Sequence, residues 1–223
     1  MSADTTTTAE PGLRERKKQQ TRMQIAQTAR RLFGERGFDA VTVGEVARAA
    51  DVSEKTVFNY FPTKEDLFYS GMEAFEEQLV GAIRDRGPGE SVLGAFRRFV
   101  LEPQGVFAMK GPAREATERL QSVTRVITAS PALLAREREV LARYTDALAA
   151  VVAQDAGAAP DDVEPLVVAH AMLGVHRALI DCVRRRVLAG ASAPAIGTEL
   201  RAQAAAALDR LEAGLGDYAI RRG

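Results

Sequence analysis

A chain of 223 residues is long enough for one large or two small domains and for a substantial core, which excludes collagen-like, mini-protein and disulfide-scaffold classes. Its 30 basic and 30 acidic residues cancel, so the total charge announces no polyanionic partner. The single cysteine, Cys182, excludes an intramolecular disulfide, no uninterrupted apolar run approaches the roughly 18 residues of a membrane span, and the polar N-terminus carries no secretory signal; a cytoplasmic protein with no membrane partner is expected.

Residues 1–12 read as a disordered tail. Beyond them, glycine and proline breakers punctuate segments whose apolar residues recur at helical spacing, with no period-2 run, so the fold class is all-α with about nine to ten helices. The first segment, about Arg14 to Phe33, aligns Ile25, Ala29, Leu32 and Phe33 on one stripe. Between Leu13 and Arg36, eight basic side chains face only Glu15 and Glu35, a local charge of +6. Arg14, Arg16, Lys17 and Lys18 within it read as a basic N-terminal arm, or else as a solvated tail.

Two short helices follow. Thr42 and Glu45 form a T-x-x-E capping box ahead of Val43, Val46, Ala47 and Ala50, and Ser53 is an N-cap for Glu54 to Tyr60. Asp51 in the turn between them tolerates a left-handed backbone. Pro62 stops the third helix, and Thr63 with Asp66 opens a long one expected to run to about Arg86. Three helices with a short turn between the second and third make a helix-turn-helix layout. Residues 13–69 hold 11 basic and 8 acidic side chains, residues 70–223 hold 19 and 20, so the neutral total conceals a basic head.

The segment from Asp161 to Leu188 is apolar on nearly all sides between Leu166 and Ile180, which predicts burial from several directions. Pro194 to Leu215 carries Ile196, Leu200, Ala204, Leu208, Leu211 and Leu215 in a near-heptad stripe. Two such helices at the chain's end predict a two-fold homodimer formed through them. His170, His176 and Cys182 follow one another at intervals of six, which does not align metal ligands on a helix face. Asp161, Asp162 and Glu164 open a helix, where the dipole favours carboxylates. No nucleophilic triad, phosphate loop or zinc spacing is present, so no catalytic residue, metal site or cofactor is expected and the chain is not read as an enzyme.

The run from Gly37 to Leu67 (GFDAVTVGEVARAADVSEKTVFNYFPTKEDL) resembles the DNA-binding domain of the TetR family of bacterial transcriptional regulators. The resemblance implies a helix-turn-helix head over 13–69 and a ligand-binding and dimerisation domain over 70–223. It implies that Thr42 faces a phosphate, that Ser53, Glu54, Lys55, Thr56, Phe58, Asn59 and Tyr60 lie on or at the start of the recognition helix in the major groove, and that Lys64 contacts phosphate, with Arg22, Lys17 and Lys18 supporting from the first helix. Val52, Val57 and Phe61 are expected in the core. Two positions depart from the family pattern: Phe58 stands for the usual Tyr, leaving an apolar contact such as a thymine methyl, and Asp51 stands for the usual turn Gly. Asn59 is the expected base reader, its amide matching adenine N6 and N7.

The helical body is expected to take a small apolar effector among Phe96, Phe99, Phe107, Met109, Leu120, Val123, Ile127, Tyr144, Met172 and His176, each of which could equally be ordinary core. The resulting expectation is a ligand-responsive repressor on palindromic double-stranded operator DNA. A sensor that binds a protein partner is the alternative.

Overall fold

With no proline, a single glycine and many straight-chain side chains, residues Leu13–Arg36 form the 24-residue helix α1 in the computed structural model, which describes residues 12–70, 72–102, 112–215, 219 and 220. The basic run read as an arm is in fact the first two turns of this helix: Arg14, Arg16, Lys17 and Lys18 are helical and exposed. Their high helix propensity, with Glu15 complementing the positive helix start, explains the extension. Residues 1–11 lie outside the described part.

The described residues divide into two compact units, one ending at Ser70 and the other occupying the rest of the chain. In the first, Ile25, Ala26, Ala29, Leu32 and Phe33 of α1 are buried where α1 packs on α2 (Val43–Ala49) and α4 (Lys64–Phe68), and α3 (Glu54–Tyr60) packs on α2. Phe33 and Phe38 meet with ring centroids 5.0 Å apart, and Phe68 closes the cluster at 6.2 and 6.3 Å from them. Gln24 ties α1 to the end of α2 by donating to the Ala50 carbonyl at 3.0 Å.

The long fourth helix expected from Thr63 to Arg86 is two helices. α4 ends at Phe68, and α5 (Met72–Arg84) begins beyond Ser70. The division follows from packing: Leu67 is buried in the first unit, whereas Leu79, Val80 and Ile83 are buried in the second, and a Ser-Gly pair between them weakens the helix.

The second unit continues with α6 (Val92–Leu101), α7 (Ala113–Ala129), α8 (Pro131–Ala156), α9 (Glu164–Leu188) and α10 (Ala193–Leu215). α8 stops at Gly157, whose left-handed backbone (φ 64°) lets the chain reverse and lay α9 along α8. Arg86, only 1% exposed, is satisfied throughout: it donates to the carbonyls of Ile83 (2.7 Å), Glu90 (3.0 Å) and Ala219 (2.8 Å) and to the Asp155 carboxylate (2.6 Å). This buried charge fastens the α5–α6 corner to the ends of α8 and of the chain.

Two expectations for the last helices need correction, burial of α9 from all sides and a free seam on α10. α9 is long and apolar enough, by length and composition, to cross a membrane; Arg177 and Asp181 interrupt the run but leave its average apolar. It is, however, packed on α8 and α10, with Val168, Met172, Leu173 and Leu179 in the core. Nor is it buried all round: Leu166 and Val167 remain 42% and 58% exposed. The Ile196, Leu200, Ala204 and Leu208 stripe of α10 belongs to the core of its own chain, packing on α6, α7 and α9, so it is not a free seam.

Candidate nucleic-acid interface

Local chemistry fixes each helix of the first unit. Thr42 accepts from the Glu45 amide at 3.2 Å while the Glu45 carboxylate accepts from the Thr42 amide at 2.8 Å, and Arg36 pairs with that carboxylate at 2.8 Å. These interactions, the Thr42 amide above all, hold the Glu45 carboxyl at a pKa of about 2. Asp51 takes φ 54°, and the next residue's amide returns to the Ala47 carbonyl at 3.0 Å, which makes the turn into α3 tight. Ser53 caps α3 through the Thr56 amide at 3.1 Å, and the two hydroxyls lie 2.8 Å apart. Thr63 and Asp66 repeat the capping box at α4.

Val57 and Phe61 are buried and seat α3 on the unit. Val52 is only partly buried, because the Asp51 turn carries it to the edge, contrary to the expectation of a core position. On the opposite face of α3, Glu54, Lys55, Phe58 and Asn59 are exposed together, Phe58 at 47%. Thr56 and Tyr60 flank that face, half-buried. A large aromatic side chain held in solvent at the third residue from a helix end gains nothing from the fold.

The basic residues divide by position. Arg14, Lys18 and Arg22 recur at four-residue intervals on the same face of α1 that is buried from Ile25 onward, so they continue the packed stripe outward. The Arg22 guanidinium lies 5.2 Å from the Phe61 ring centroid, a cation–π contact joining α1 to the end of α3. Lys17 lies off that face and is exposed. Among the described residues Arg14, Arg16, Lys17, Lys18, Arg48 and Lys55 have no carboxylate within ion-pair distance, whereas Arg31 and Arg36 are paired with Glu35 and Glu45. Lys64, at the start of α4, rests its ammonium 4.3 Å from the Phe38 ring centroid and 5.9 Å from Phe33, and desolvation there lowers its pKa. Thr42 is exposed but occupied with Glu45.

Sequence reasoning missed Arg48, exposed at the end of α2 beside a cleft of about 630 Å³ that reaches Ser53 and Glu54. It also missed Gln24, whose partner lies far along the chain. Of the residues expected around an effector, Phe96, Ile127, Tyr144, Met172 and His176 are buried in the second unit. Phe99 and Leu120 are partly buried, Val123 is 44% exposed, and Phe107 and Met109 lie outside the described residues.

The family model of bacterial regulatory proteins, tetR family, matches residues 25–70, and the model of the MftR C-terminal domain matches residues 91–216, more than half of the chain. The chain belongs to the TetR family. TetR-family proteins are DNA-binding transcriptional regulators that act as dimers, and not enzymes. Among curated relatives, the regulator TcmR of Streptomyces glaucescens is 37% identical over 91 residues, 39% of this chain and 40% of TcmR. The chain therefore spans about two fifths of that relative. MftR of Mycobacterium tuberculosis is 29% identical over 160 residues, 72% of this chain and 78% of MftR. Among solved structures, NalD, the secondary repressor of the MexAB-OprM multidrug efflux pump in Pseudomonas aeruginosa, superposes with a TM-score of 0.52 over 86% of this chain and 97% of NalD at 18% identity, a likeness of fold.

Proposed function

We propose that this TetR-family chain is a ligand-responsive repressor that binds a palindromic operator as a homodimer and is released by a small apolar effector. The observation that carries the DNA reading is the exposed face of α3, where Glu54, Lys55, Phe58 and Asn59 stand clear of a core that holds Val57 and Phe61. Asn59 offers a donor and an acceptor to adenine, Phe58 an apolar contact to a thymine methyl, and Lys55 a donor to guanine or phosphate. Lys17, Lys18 and Arg22 on α1 and Lys64 on α4 supply the sequence-independent attraction to phosphates. Thr42, Ser53 and Thr56 chiefly position α2 and α3 through their caps.

Dimerisation through α9 and α10 is supported by what the core leaves uncovered. Leu166, Val167, His170, Gly174 and Ala178 form an exposed stripe along α9, and α10 presents Ala195, Ala202, Ala206 and Ala213 on its own outer face. Small residues along both allow two copies to pack closely about a two-fold axis. The recognition helices of the dimer then read half-sites about 34–36 Å apart. The effector binds better to a conformer that cannot span that distance, and by reciprocity operator DNA weakens effector binding by the same factor.

The test is binding to the DNA upstream of the protein's own gene against random DNA of equal length at fixed salt. A specific regulator prefers its operator by about 10³ or more. A ratio near one overturns the reading.

A further inference from the structure

His176 sits in the middle of α9, 4% exposed, on the face that also carries the buried Met172, Leu173 and Leu179. Its ring stacks on Phe75, with centroids 5.3 Å apart and 25° between the planes. Phe75 in turn lies 5.4 Å from Phe99 and 6.2 Å from Tyr144. Phe75 and Phe99 are only partly buried, so the aromatic cluster is not closed over.

A neutral imidazole carries one N–H donor and one lone pair. Among the described residues, neither has a hydrogen-bond partner. The fold itself thus makes no use of the polar atoms of His176, where a leucine on the same apolar face would pack without needing a partner. Burial also lowers the imidazole pKa to about 4, so the ring is uncharged at neutral pH. Among the described residues, the other ionic side chains that are buried in this unit are matched, Arg86 by Asp155 and Glu137 by Arg184, so among them a charged ligand meets no unmatched buried counter-charge.

Resting on the ligand-responsive reading above, we infer that the effector is an uncharged, flat aromatic compound bearing one hydroxyl or carbonyl group, which stacks against Phe75 and Phe99 and hydrogen-bonds to His176. Phe75 belongs to the first turn and a half of α5, the helix that directly follows the DNA-binding unit in the chain, so the same contact is placed to alter α5. His176 supplies specificity and the phenylalanines supply area, the usual division of labour in a small-molecule site.

Three probes separate the contributions: 2-naphthol, naphthalene and 2-naphthoate, titrated calorimetrically into the full chain at pH 7.5. Naphthol should bind about 2- to 10-fold more tightly than naphthalene, the usual worth of one neutral hydrogen bond, and naphthoate more weakly than either. His176→Phe should retain naphthalene binding and abolish the preference for naphthol. Because that variant could fold poorly, the wild-type protein gives a second readout: the chain has two histidines, and naphthol should move the imidazole nitrogen resonances of His176 and leave those of His170 in place. Equal binding of naphthol and naphthalene, absence of binding by both, tightest binding by naphthoate, or unmoved His176 resonances each overturns the inference. Operator binding measured on the same preparation without probe keeps the two readings apart, since it survives if only the ligand site is wrong.

Discussion

Asn59 and Lys64 make opposite demands on a mutational test. Asn59 is an exposed amide on the outer face of α3, and Asn59→Ala should relax preference at one base pair of each half-site and cost roughly 1–3 kcal/mol there; an unchanged preference in a randomised-operator selection would remove it from base readout. Lys64→Ala should weaken binding to all sequences alike and flatten the salt dependence by about one unit, and, because its ammonium lies over Phe38, should also lower the melting temperature slightly. A loss confined to one base position would contradict the phosphate role. The exposure of Asn59 was legible in the sequence, because a short capped helix with Val57 and Phe61 apolar leaves its opposite face no partner. The aromatic bed of Lys64 was not, since Phe33 and Phe38 come from α1 and the loop beyond it, and helical periodicity carries no information about such distant pairs. His176 was already among the residues expected around an effector, but its stacking on Phe75 was not legible, because one polar residue on an apolar stripe does not disclose what packs across from it. Its depressed pKa has a signed consequence. The unfolded state binds a proton below the ordinary value of 6.5 while the folded state resists until about 4, so stability is full above 6.5 and falls by about 1.4 kcal/mol per pH unit between those limits. Denaturant titrations of wild type and His176→Phe over that range should show a stability difference between them that changes with that slope, and a constant difference would contradict it.

Capping chemistry was the most readable part of the chain. The boxes at Thr42/Glu45 and Thr63/Asp66 and the Ser53 cap occur where the residue types demand, because they depend on neighbours three residues apart. What local rules could not supply was the interruption between α4 and α5, which arises because two separate cores claim the two halves of one amphipathic pattern. Two outcomes belong to this scale. Asp51 holds φ 54° without being glycine, so Asp51→Gly should stabilise the helix-turn-helix by about 0.5–1 kcal/mol, read as a rise in melting temperature; a fall would mean that the aspartate contributes more than its backbone strain costs. Glu45 is held ionised by the cap and by Arg36, so its contribution is present above about pH 4.5 and is lost as pH falls toward 2. Glu45→Gln should remove that acid sensitivity, and an acid unfolding curve identical to wild type would show that the box does not couple to folding.

Across the whole molecule, the charge distribution and the exposed faces describe one division of labour: residues 13–69 carry a net positive charge where residues 70–223 do not, and an exposed apolar stripe runs along α9 in the second unit. A palindromic operator makes each depend on the other, because the affinity of a dimer for two half-sites requires both heads on one body. Val167 provides the test. It is 58% exposed on the α9 stripe, so Val167→Arg removes no core contact and should change the stability of a single chain by no more than about 0.5 kcal/mol. At a two-fold interface the same change places an arginine in an apolar seam and repeats it in the partner, adding like-charge repulsion to desolvation. Sedimentation at concentrations where the wild type is dimeric should therefore find the variant monomeric, still helical, and binding the full operator with little more affinity than an isolated half-site. A variant that stays dimeric would move the interface off α9, while leaving the base-reading face of α3 unaffected.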